Sequence, residues 1–325
     1  MPRRAAFCPR LSDRLEERVV LSGARSAIVE TFAVNMRVPK IGAMGDSLTD
    51  EYRTSGSNRS QAKNWVEILA ATRHSRFGAY SAASRGEPRN AGYANNWART
   101  DATSDDMVRN QLPGLTNQVR RGQVNLVWIG IGTNDLLHYV TSISPIAPPN
   151  VADVSAGLSK IEARMEDNLT TAVRTLMAAN PNVRMTLANL QDLSTLPAIA
   201  NMNANPVLKP LLNTLGPIVA KYNARIATLA AEQPSQIAVV DLNGLSKAIQ
   251  TQAAANGKIT TGGQVIDART PGNDPTHLYL ADGLHIGTVG QGLIANQFIQ
   301  TIDTAFKAGV TPLRPAEILR QAKIR

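Results

Sequence analysis

The segment that most constrains the fold is residues 38–52, with the sequence VPKIGAMGDSLTDEY. A short apolar run, residues 41–44, ends in a glycine, and Asp46 and Ser47 follow directly. Such a run predicts a buried strand. Because open α/β sheets bind ligands beyond the carboxyl ends of their strands, Ser47 is a candidate nucleophile. Alternatively, Asp46 and Ser47 only cap the following helix, which both residue types do well.

Further apolar runs predict strands at 125–131, 183–190 and 237–242. Strands that alternate with long helices predict a parallel sheet covered on both faces. The predicted helices lie at 61–74, from Ser104 with a break or kink at Pro113, at 154–176, through Tyr222, Ile226 and Leu229 with a break at Pro217, and from Thr288. We expect irregular loops at 75–95, 191–206 and 256–281.

The composition favours a soluble enzyme-sized domain. Hydrophobic residues make up 43% of the chain and charged residues 18%, which is enough for a substantial core. No apolar run approaches the roughly 20 residues that span a bilayer, so we expect no stable membrane insertion. The single cysteine, Cys8, excludes an intramolecular disulfide and a cysteine-based metal site.

The net charge of +9 is concentrated at the two ends of the chain. Residues 1–37 hold seven arginines against four acids, and residues 312–325 hold four cations against Glu317. We therefore interpret these segments as solvated basic tails. A basic groove with interleaved aromatic residues is not visible, so we expect no nucleic-acid partner.

The candidate functional motifs run from Gly45 to His285, which favours one large domain over residues 38–310. Residues 1–37 are then a leader or a loosely ordered tail, and residues 311–325 a basic C-terminal tail. Residues 10–22 resemble the short LE-x-R-x-x-L-S leader of exported proteins in some bacteria. That resemblance implies a periplasmic or extracellular location, with a cytoplasmic location as the alternative.

A second polar turn accompanies the one that holds Ser47. The predicted strand 125–131 ends in Gly-Thr-Asn-Asp, residues 132–135, so two strands deliver polar turns to one edge of the sheet. Taken alone, Asn134 and Asp135 would more simply close a turn or cap a helix.

A histidine with a nearby aspartate completes the set. Asp282 precedes His285 by three residues and can fix its imidazole, whose other nitrogen then serves a serine. Asp274 and His277 have the same spacing and are the alternative. We prefer Asp282 and His285 because an amphipathic helix follows them at once and anchors their turn. The remaining histidines, His74 and His138, are expected to be unpaired.

These motifs, GDSL at 45–48, GTND at 132–135 and ADGLH at 281–285, resemble blocks I, III and V of the SGNH (GDSL) hydrolases, in family order across residues 38–307. The resemblance implies an α/β fold: a three-layer α/β/α sandwich on a flavodoxin-like parallel sheet of about five strands. It also implies a Ser47, Asp282 and His285 triad, with no cofactor and no metal.

The resemblance further implies an oxyanion hole made by the backbone N–H groups of Ser47 and residue 101 and by the side-chain amide of Asn134. Residues 96–104, NWARTDATS, align with the block II pattern, but Asp101 replaces its glycine. A positive φ would strain a non-glycine residue there. A carboxylate close to the oxyanion would also repel it.

The implied function is carboxylic ester hydrolysis through an acyl-enzyme, as in lipases and esterases, on a small-molecule or glycan ester. A carbohydrate acetylesterase is an alternative, since Tyr80, Tyr93 and Trp97 either stack on sugars or pack locally. A catalytically silent binding module on the same scaffold is a second alternative, motivated by Asp101. The sequence does not indicate the acyl or alcohol specificity or the oligomeric state.

Overall fold

A computed structural model describes residues 39–54, 58–86, 91–144 and 149–325. The chain divides into two units, Met1–Asn35 and Met36–Arg325. The first unit lies outside the described residues, and so does the predicted leader over residues 1–37. The second unit contains all of the motifs discussed above.

The centre of this unit is a four-stranded parallel sheet with the strand order β1-β4-β5-β6. Its strands are the four that the apolar runs predict, and their residues are almost entirely buried. Two antiparallel pairs, β2 with β3 and β7 with β8, lie outside this sheet. The strands are β1 Ile41–Gly45, β2 Tyr80–Ser81, β3 Gly92–Tyr93, β4 Leu126–Gly130, β5 Arg184–Ala188, β6 Ile237–Val240, β7 Lys258–Thr261 and β8 Gln264–Asp267.

In the described residues the parallel sheet has four strands, where the resemblance implies about five. Two irregular segments occupy the free edge of β1 instead. Ile41 donates its backbone N–H to the Arg76 carbonyl at 2.9 Å, and Ala43 donates to the Asn95 carbonyl at 3.0 Å. These contacts satisfy the edge strand, which would otherwise leave backbone groups exposed for pairing.

Helices connect the strands and cover both faces of the sheet. Helices α1 and α10 pack together on one face, whereas α3, α5 and α8 form the other layer. The helices are α1 Trp65–Arg73, α2 Ser104–Asp106, α3 Leu112–Arg120, α4 Thr133–Thr141, α5 Val151–Ala179, α6 Pro197–Asn203, α7 Lys209–Leu212, α8 Leu215–Glu232, α9 Leu242–Ala253, α10 Thr288–Phe306 and α11 Pro315–Gln321. This is the predicted three-layer α/β/α arrangement.

An aromatic cluster joins the sheet to the first of these layers. The Trp65 ring lies 4.5 Å from the Trp128 ring and 5.1 Å from the Phe298 ring, centroid to centroid. These three residues belong to α1, β4 and α10, and all are buried. Large aromatic side chains contribute much of the energy of a core. The cluster therefore fixes α1 and α10 against the strand that leads into the GTND turn.

Several predicted helix and loop boundaries differ from the structure. Pro113 does not break its helix, because one π-helical turn, Met107–Gln111, precedes α3 and absorbs the irregularity. Pro217 lies in the first turn of α8, where proline is tolerated because the N–H there has no helical partner. The predicted loop 256–281 contains the β7–β8 hairpin, and the predicted loop 191–206 contains α6.

The C-terminal segment, residues 311–325, is not a freely solvated tail. It forms α11, which buries Ile318 and Leu319 and packs against α10. Glu317 accepts hydrogen bonds from Arg73 of α1 at 3.1 and 3.3 Å. The positive charge of this segment thus coexists with an apolar face, which the charge count alone does not reveal.

The buried carboxyl group of Glu51 contacts strand β3. Glu51 Oε1 accepts the backbone N–H of Tyr93 at 2.7 Å. A β-carbon at Gly92 would lie 2.5 Å from Glu51 Oε2, and Gly92 has a φ of +128°, so glycine is needed there. Burial raises the pKa of Glu51 from 4.5 to about 7.

This raised pKa predicts a pH-dependent effect of Glu51→Gln. The folded protein keeps a proton that the unfolded chain releases between pH 4.5 and about 7, so wild-type stability falls as the pH rises through that window. Glutamine has no proton to lose. We expect the free energy of unfolding of Glu51→Gln, relative to that of the wild type, to increase by on the order of 1–3 kcal/mol from pH 5 to pH 8. Urea unfolding at each pH measures this difference.

Glu317→Gln is the matched control, because hydrogen bonds from Arg73 lower the pKa of Glu317 to about 2. Glu317 is therefore ionised in both the folded and unfolded states over this pH range. Its effect on stability should not change between pH 5 and pH 8. A Glu51→Gln effect that is equally constant would contradict the raised pKa.

Candidate active site

The candidate site begins where β1 and β4 end side by side. Their parallel register pairs Gly45 with Gly130, so the GDSL and GTND turns leave the sheet next to each other. A β-carbon at Gly45 would lie 2.5 Å from the Gly130 carbonyl oxygen, so this approach needs glycine. The Gln111 side chain bonds both the N–H and the carbonyl of Gly45, at 2.8 and 2.9 Å. The end of β1 is therefore fixed before the turn begins.

Asp46 shapes the turn that presents Ser47. Its Oδ1 accepts the Leu48 backbone N–H at 3.0 Å, a local bond typical of aspartate in turns. Burial raises the pKa of Asp46 to about 6, and the nearby His285 partly opposes that shift. Ser47 itself is half-buried, and neither its hydroxyl nor its backbone N–H bonds to any other described residue. Both groups are available to a substrate.

The predicted Asp282–His285 pair is formed. His285 Nδ1 lies 2.8 Å from Asp282 Oδ2, while Asp282 Oδ1 accepts the backbone N–H groups of Leu284 and His285 at 2.8 Å. Partial burial raises the pKa of Asp282, but the hydrogen bonds from His285 and Leu284 outweigh it and lower the pKa to about 2. Asp282 is thus a carboxylate at neutral pH, as a group that orients an imidazole must be.

Ser47 and His285 do not form a hydrogen bond with each other in this structure. Within the described part of the chain, His285 Nε2 makes no hydrogen bond, and the Ser47 hydroxyl does not bond to it. The Tyr52 ring packs edge-on against the imidazole, with 6.3 Å between the ring centroids, and His285 lies near enough to Asp46, the neighbour of Ser47, to oppose the rise in the Asp46 pKa. Catalytic hydrogen bonds are often long in unliganded sites and shorten when the substrate binds.

The alternative pair, Asp274 and His277, is not formed. Asp274 Oδ1 accepts the N–H and hydroxyl of Thr276 at 2.9 and 2.6 Å instead. The buried Nδ1 of His277 has no hydrogen-bond partner among the residues that the structure describes. Identical sequence spacing therefore leads to different side-chain contacts in the two pairs.

The other two histidines have different roles. His74 ends α1 in the left-handed conformation, with a φ of +50°. The expectation that His138 is unpaired is wrong, because its Nε2 lies 2.7 Å from Asp101 Oδ1. Sequence spacing carried a signal that was missed: His138 follows Asn134 by four residues, so the two share one face of α4.

The segment that carries Asp101 is held from two sides. One set of bonds comes from the loop after β1, the other from the first turn of α4. The bonds join Asn96 Nδ2 to the Thr49 carbonyl at 2.7 Å, Thr100 N–H to Asp50 Oδ2 at 2.8 Å, Asn134 Nδ2 to the Ala102 carbonyl at 3.0 Å, and Ser104 N–H to Asp135 Oδ2 at 2.9 Å. The loop after β1, residues 96–104 and the GTND turn thus meet through hydrogen bonds at this edge.

The structure shows both the backbone angle of Asp101 and the position of its carboxylate. Its φ is +67°, the left-handed value that suits the glycine of the family pattern. Its carboxylate is largely exposed and contacts His138 on α4. Its backbone N–H donates no hydrogen bond within the described residues. This N–H and that of Ser47 are the two unpaired donors expected of the oxyanion hole.

A family model supports the interpretation of these motifs. The model described as GDSL-like Lipase/Acylhydrolase matches residues 41–298. The chain therefore belongs to the GDSL-like lipase/acylhydrolase family. It is an ester hydrolase with the α/β fold of that family. No curated protein matches this chain.

Similar solved structures include lipases and carbohydrate esterases. A lipase from a goat rumen metagenome is 13% identical, with a TM-score of 0.49, and the match covers 80% of this chain and 95% of that one. A phospholipase A1 from Streptomyces albidoflavus is 13% identical, with a TM-score of 0.48, over 83% and 100%. A family 3 carbohydrate esterase from Clostridium thermocellum is 17% identical, with a TM-score of 0.44, over 85% and 100%.

Two kinds of feature are absent from the described residues. No helix in them is long and apolar enough to cross a membrane. No group of three or more His, Cys, Asp or Glu side chains in them is arranged to hold a metal ion.

The two Asp–His pairs give a direct test of the base. We expect His285→Ala to lower kcat by on the order of 10⁴, because residues of a triad act as a unit. His277→Ala removes the same side-chain atoms from the histidine that follows Asp274 by three residues. This change should alter kcat by less than about threefold. Initial rates with p-nitrophenyl acetate measure both. The reverse ranking would show that Asp274 and His277 supply the base.

Proposed function

We propose that this protein hydrolyses carboxylic esters through an acyl-enzyme on Ser47, with His285 as the general base and Asp282 as its orienting carboxylate. The observation that carries this proposal is the 2.8 Å bond between His285 Nδ1 and Asp282 Oδ2, which leaves Nε2 without a hydrogen bond to any described residue. This bond supports the tautomer that a general base needs, with the proton on Nδ1 and the lone pair on Nε2.

The proposed reaction runs in two stages. Ser47 Oγ attacks the ester carbonyl carbon while His285 Nε2 takes the hydroxyl proton. The tetrahedral intermediate collapses when His285 returns that proton to the leaving alcohol oxygen, and the acyl group remains on Ser47. Water then attacks the acyl-enzyme in the same way, and the acid leaves. Asp282 stays ionised throughout and stabilises the imidazolium that forms in each stage.

The oxyanion of each intermediate needs donors that are fixed in advance. The backbone N–H groups of Ser47 and Asp101 support this role, since neither donates to another described residue. Asn134 uses one amide hydrogen on the Ala102 carbonyl at 3.0 Å. Its amide carries a second hydrogen, which remains for the substrate.

The spaces beside the GDSL turn favour a short acyl group. Two small cavities of about 30 and 20 Å³ lie next to Leu48, and both are lined by Leu48, Leu242 and Ile294. Binding sites for drug-sized ligands usually have about 300–1,000 Å³. Space of this size suits an acetyl group better than a long fatty acyl chain. We therefore propose a short-acyl esterase.

The aromatic residues near this edge do not favour a sugar platform. The Arg53 guanidinium lies 4.5 Å from the centre of the Tyr80 ring, and the Tyr93 ring lies 5.3 Å from it. A β-carbon at Gly114 would lie 1.9 Å from Trp97, so that indole packs tightly on α3. These rings pack locally. The proposal therefore includes both esters of simple alcohols and esters of sugars.

A serine-directed fluorophosphonate probe separates an esterase from a silent binding module. We expect the wild type to be labelled and Ser47→Ala not to be, with ester turnover reduced by about 10⁴ or more. Thermal unfolding should match wild type, because the Ser47 hydroxyl bonds no other described residue. Failure of the folded wild type to react would favour the silent module. Robust turnover by Ser47→Ala would disprove the mechanism.

The small cavities predict a steep dependence on acyl length. Against p-nitrophenyl esters, kcat/KM should fall at least tenfold from the acetate to the octanoate, since the two cavities beside Leu48 have no space for the methylenes of the longer chain. Leu242→Ala enlarges both cavities and should raise the octanoate-to-acetate ratio. Val265→Ala removes an exposed side chain and is the control. A preference of the wild type for octanoate would contradict a short-acyl site.

A further inference from the structure

We propose that His138 is a positioning residue for ester hydrolysis: through its bond to the Asp101 carboxylate, it holds the backbone N–H of residue 101 towards the oxyanion. This inference rests on the proposed function and goes beyond it, because it assigns a role to a side chain outside the motifs. The carrying contact is the 2.7 Å distance between His138 Nε2 and Asp101 Oδ1. We call this contact the 101–138 latch.

The latch acts on the residue that has no other anchor in the described chain. Thr100 donates its N–H to Asp50 at 2.8 Å, Ala102 donates to the Arg99 carbonyl at 3.2 Å, and Ser104 donates to Asp135 at 2.9 Å. The Asp101 backbone bonds to none of the described residues. Its orientation therefore depends on its own dihedral angles and on its side-chain contact.

Those dihedral angles are unfavourable for a residue with a β-carbon. The φ of Asp101 is +67°, in the left-handed region that glycine populates freely. An aspartate there tends to relax towards negative φ, which would rotate its N–H. The latch opposes that rotation, because it ties the carboxylate to a helix. Aspartate thus achieves with a side-chain contact what glycine achieves by having no side chain.

The helix that provides the latch also provides another proposed oxyanion donor. Asn134 and His138 are four residues apart on α4 and lie on one face of it. Asn134 bonds the Ala102 carbonyl at 3.0 Å while His138 bonds Asp101. Residues 101 and 102, two neighbours in the segment 96–104 that we call the oxyanion segment, are thus held by a single helix face. The latch couples the Asp101 N–H and the Asn134 amide into one rigid unit.

The first test removes the latch from either end. We expect His138→Ala and Asp101→Ala each to lower kcat by roughly tenfold to hundredfold, less than loss of a whole donor, with KM within about twofold of wild type. The double variant should be no worse than either single one, because both remove the same contact. His138→Gln keeps an N–H donor at this position and should recover most of the lost activity.

The second test uses the glycine of the family pattern as background. Glycine adopts the positive φ without a latch, so His138→Ala should change kcat by less than about twofold when residue 101 is already glycine. A merely structural histidine would lower kcat equally in both backgrounds. Arg164→Ala is the matched control, since it breaks an exposed ion pair with Asp105, on the same segment, at 3.3 Å. It should leave kcat unchanged.

The outcomes separate this inference from the proposed function. Turnover by Ser47→Ala in the same assay would disprove the nucleophile, whatever His138 does. If Ser47→Ala is inactive while His138→Ala keeps full kcat, the latch has no catalytic role. Multiplicative losses in the double variant would also overturn it. Thermal unfolding of each variant shows whether it is folded, and both His138 and Asp101 are exposed enough to tolerate substitution.

Discussion

The pairing of β1 with β4 is the constraint on which the rest of the site depends. The two strands end together, Gly45 opposite Gly130, so the GDSL and GTND turns emerge as neighbours. Side chains alternate between the two faces of a strand, so a slip by one residue would exchange the side chains that pack against the two helix layers. The core holds this register, since Trp128 of β4 packs against Trp65 and Phe298. Core packing thus sets the separation between the serine turn and the asparagine.

The Asp282–His285 pair is brought to this edge by a separate buried network. The Tyr52 hydroxyl donates to the Ile286 carbonyl at 3.2 Å and accepts from Gln291 Nε2 at 2.9 Å, while Gln291 Oε1 accepts the Trp65 N–H at 3.0 Å. These polar groups are buried and paired, which makes such a network specific in geometry. It ties the residue after His285 to α1 and to the loop that follows Ser47.

The sequence predicts the elements that depend on local signals. Apolar runs predicted all four strands of the parallel sheet, and the GDSL and GTND motifs lie at the ends of two of them. The family resemblance implies about five strands. It does not indicate the irregular segments that pair with the free edge of β1. The β7–β8 hairpin was also missed, although its Gly262-Gly263 turn is a recognised hairpin signal.

Contacts that depend on competition between side chains were harder to predict. Asp274 and Asp282 each precede a histidine by three residues, but only Asp282 bonds its histidine. Asp274 Oδ1 bonds Thr276 instead, and that outcome depends on loop geometry that spacing does not fix. The Asp101–His138 contact joins residues 37 positions apart and needs the positions of α4 and of the oxyanion segment. Such contacts become visible only when the fold places both elements.

Position 101 shows which property of the block II pattern the chemistry requires. In the proposed mechanism, the donor at this position is a backbone N–H, so any side chain is acceptable if the backbone keeps its direction. The structure keeps the φ of +67° with aspartate and supplies a contact that anchors it. Asn134 differs, because it donates through its side chain, and a change of residue type there removes the donor itself. An oxyanion hole built from both kinds of donor therefore tolerates sequence change at one position and not at the other.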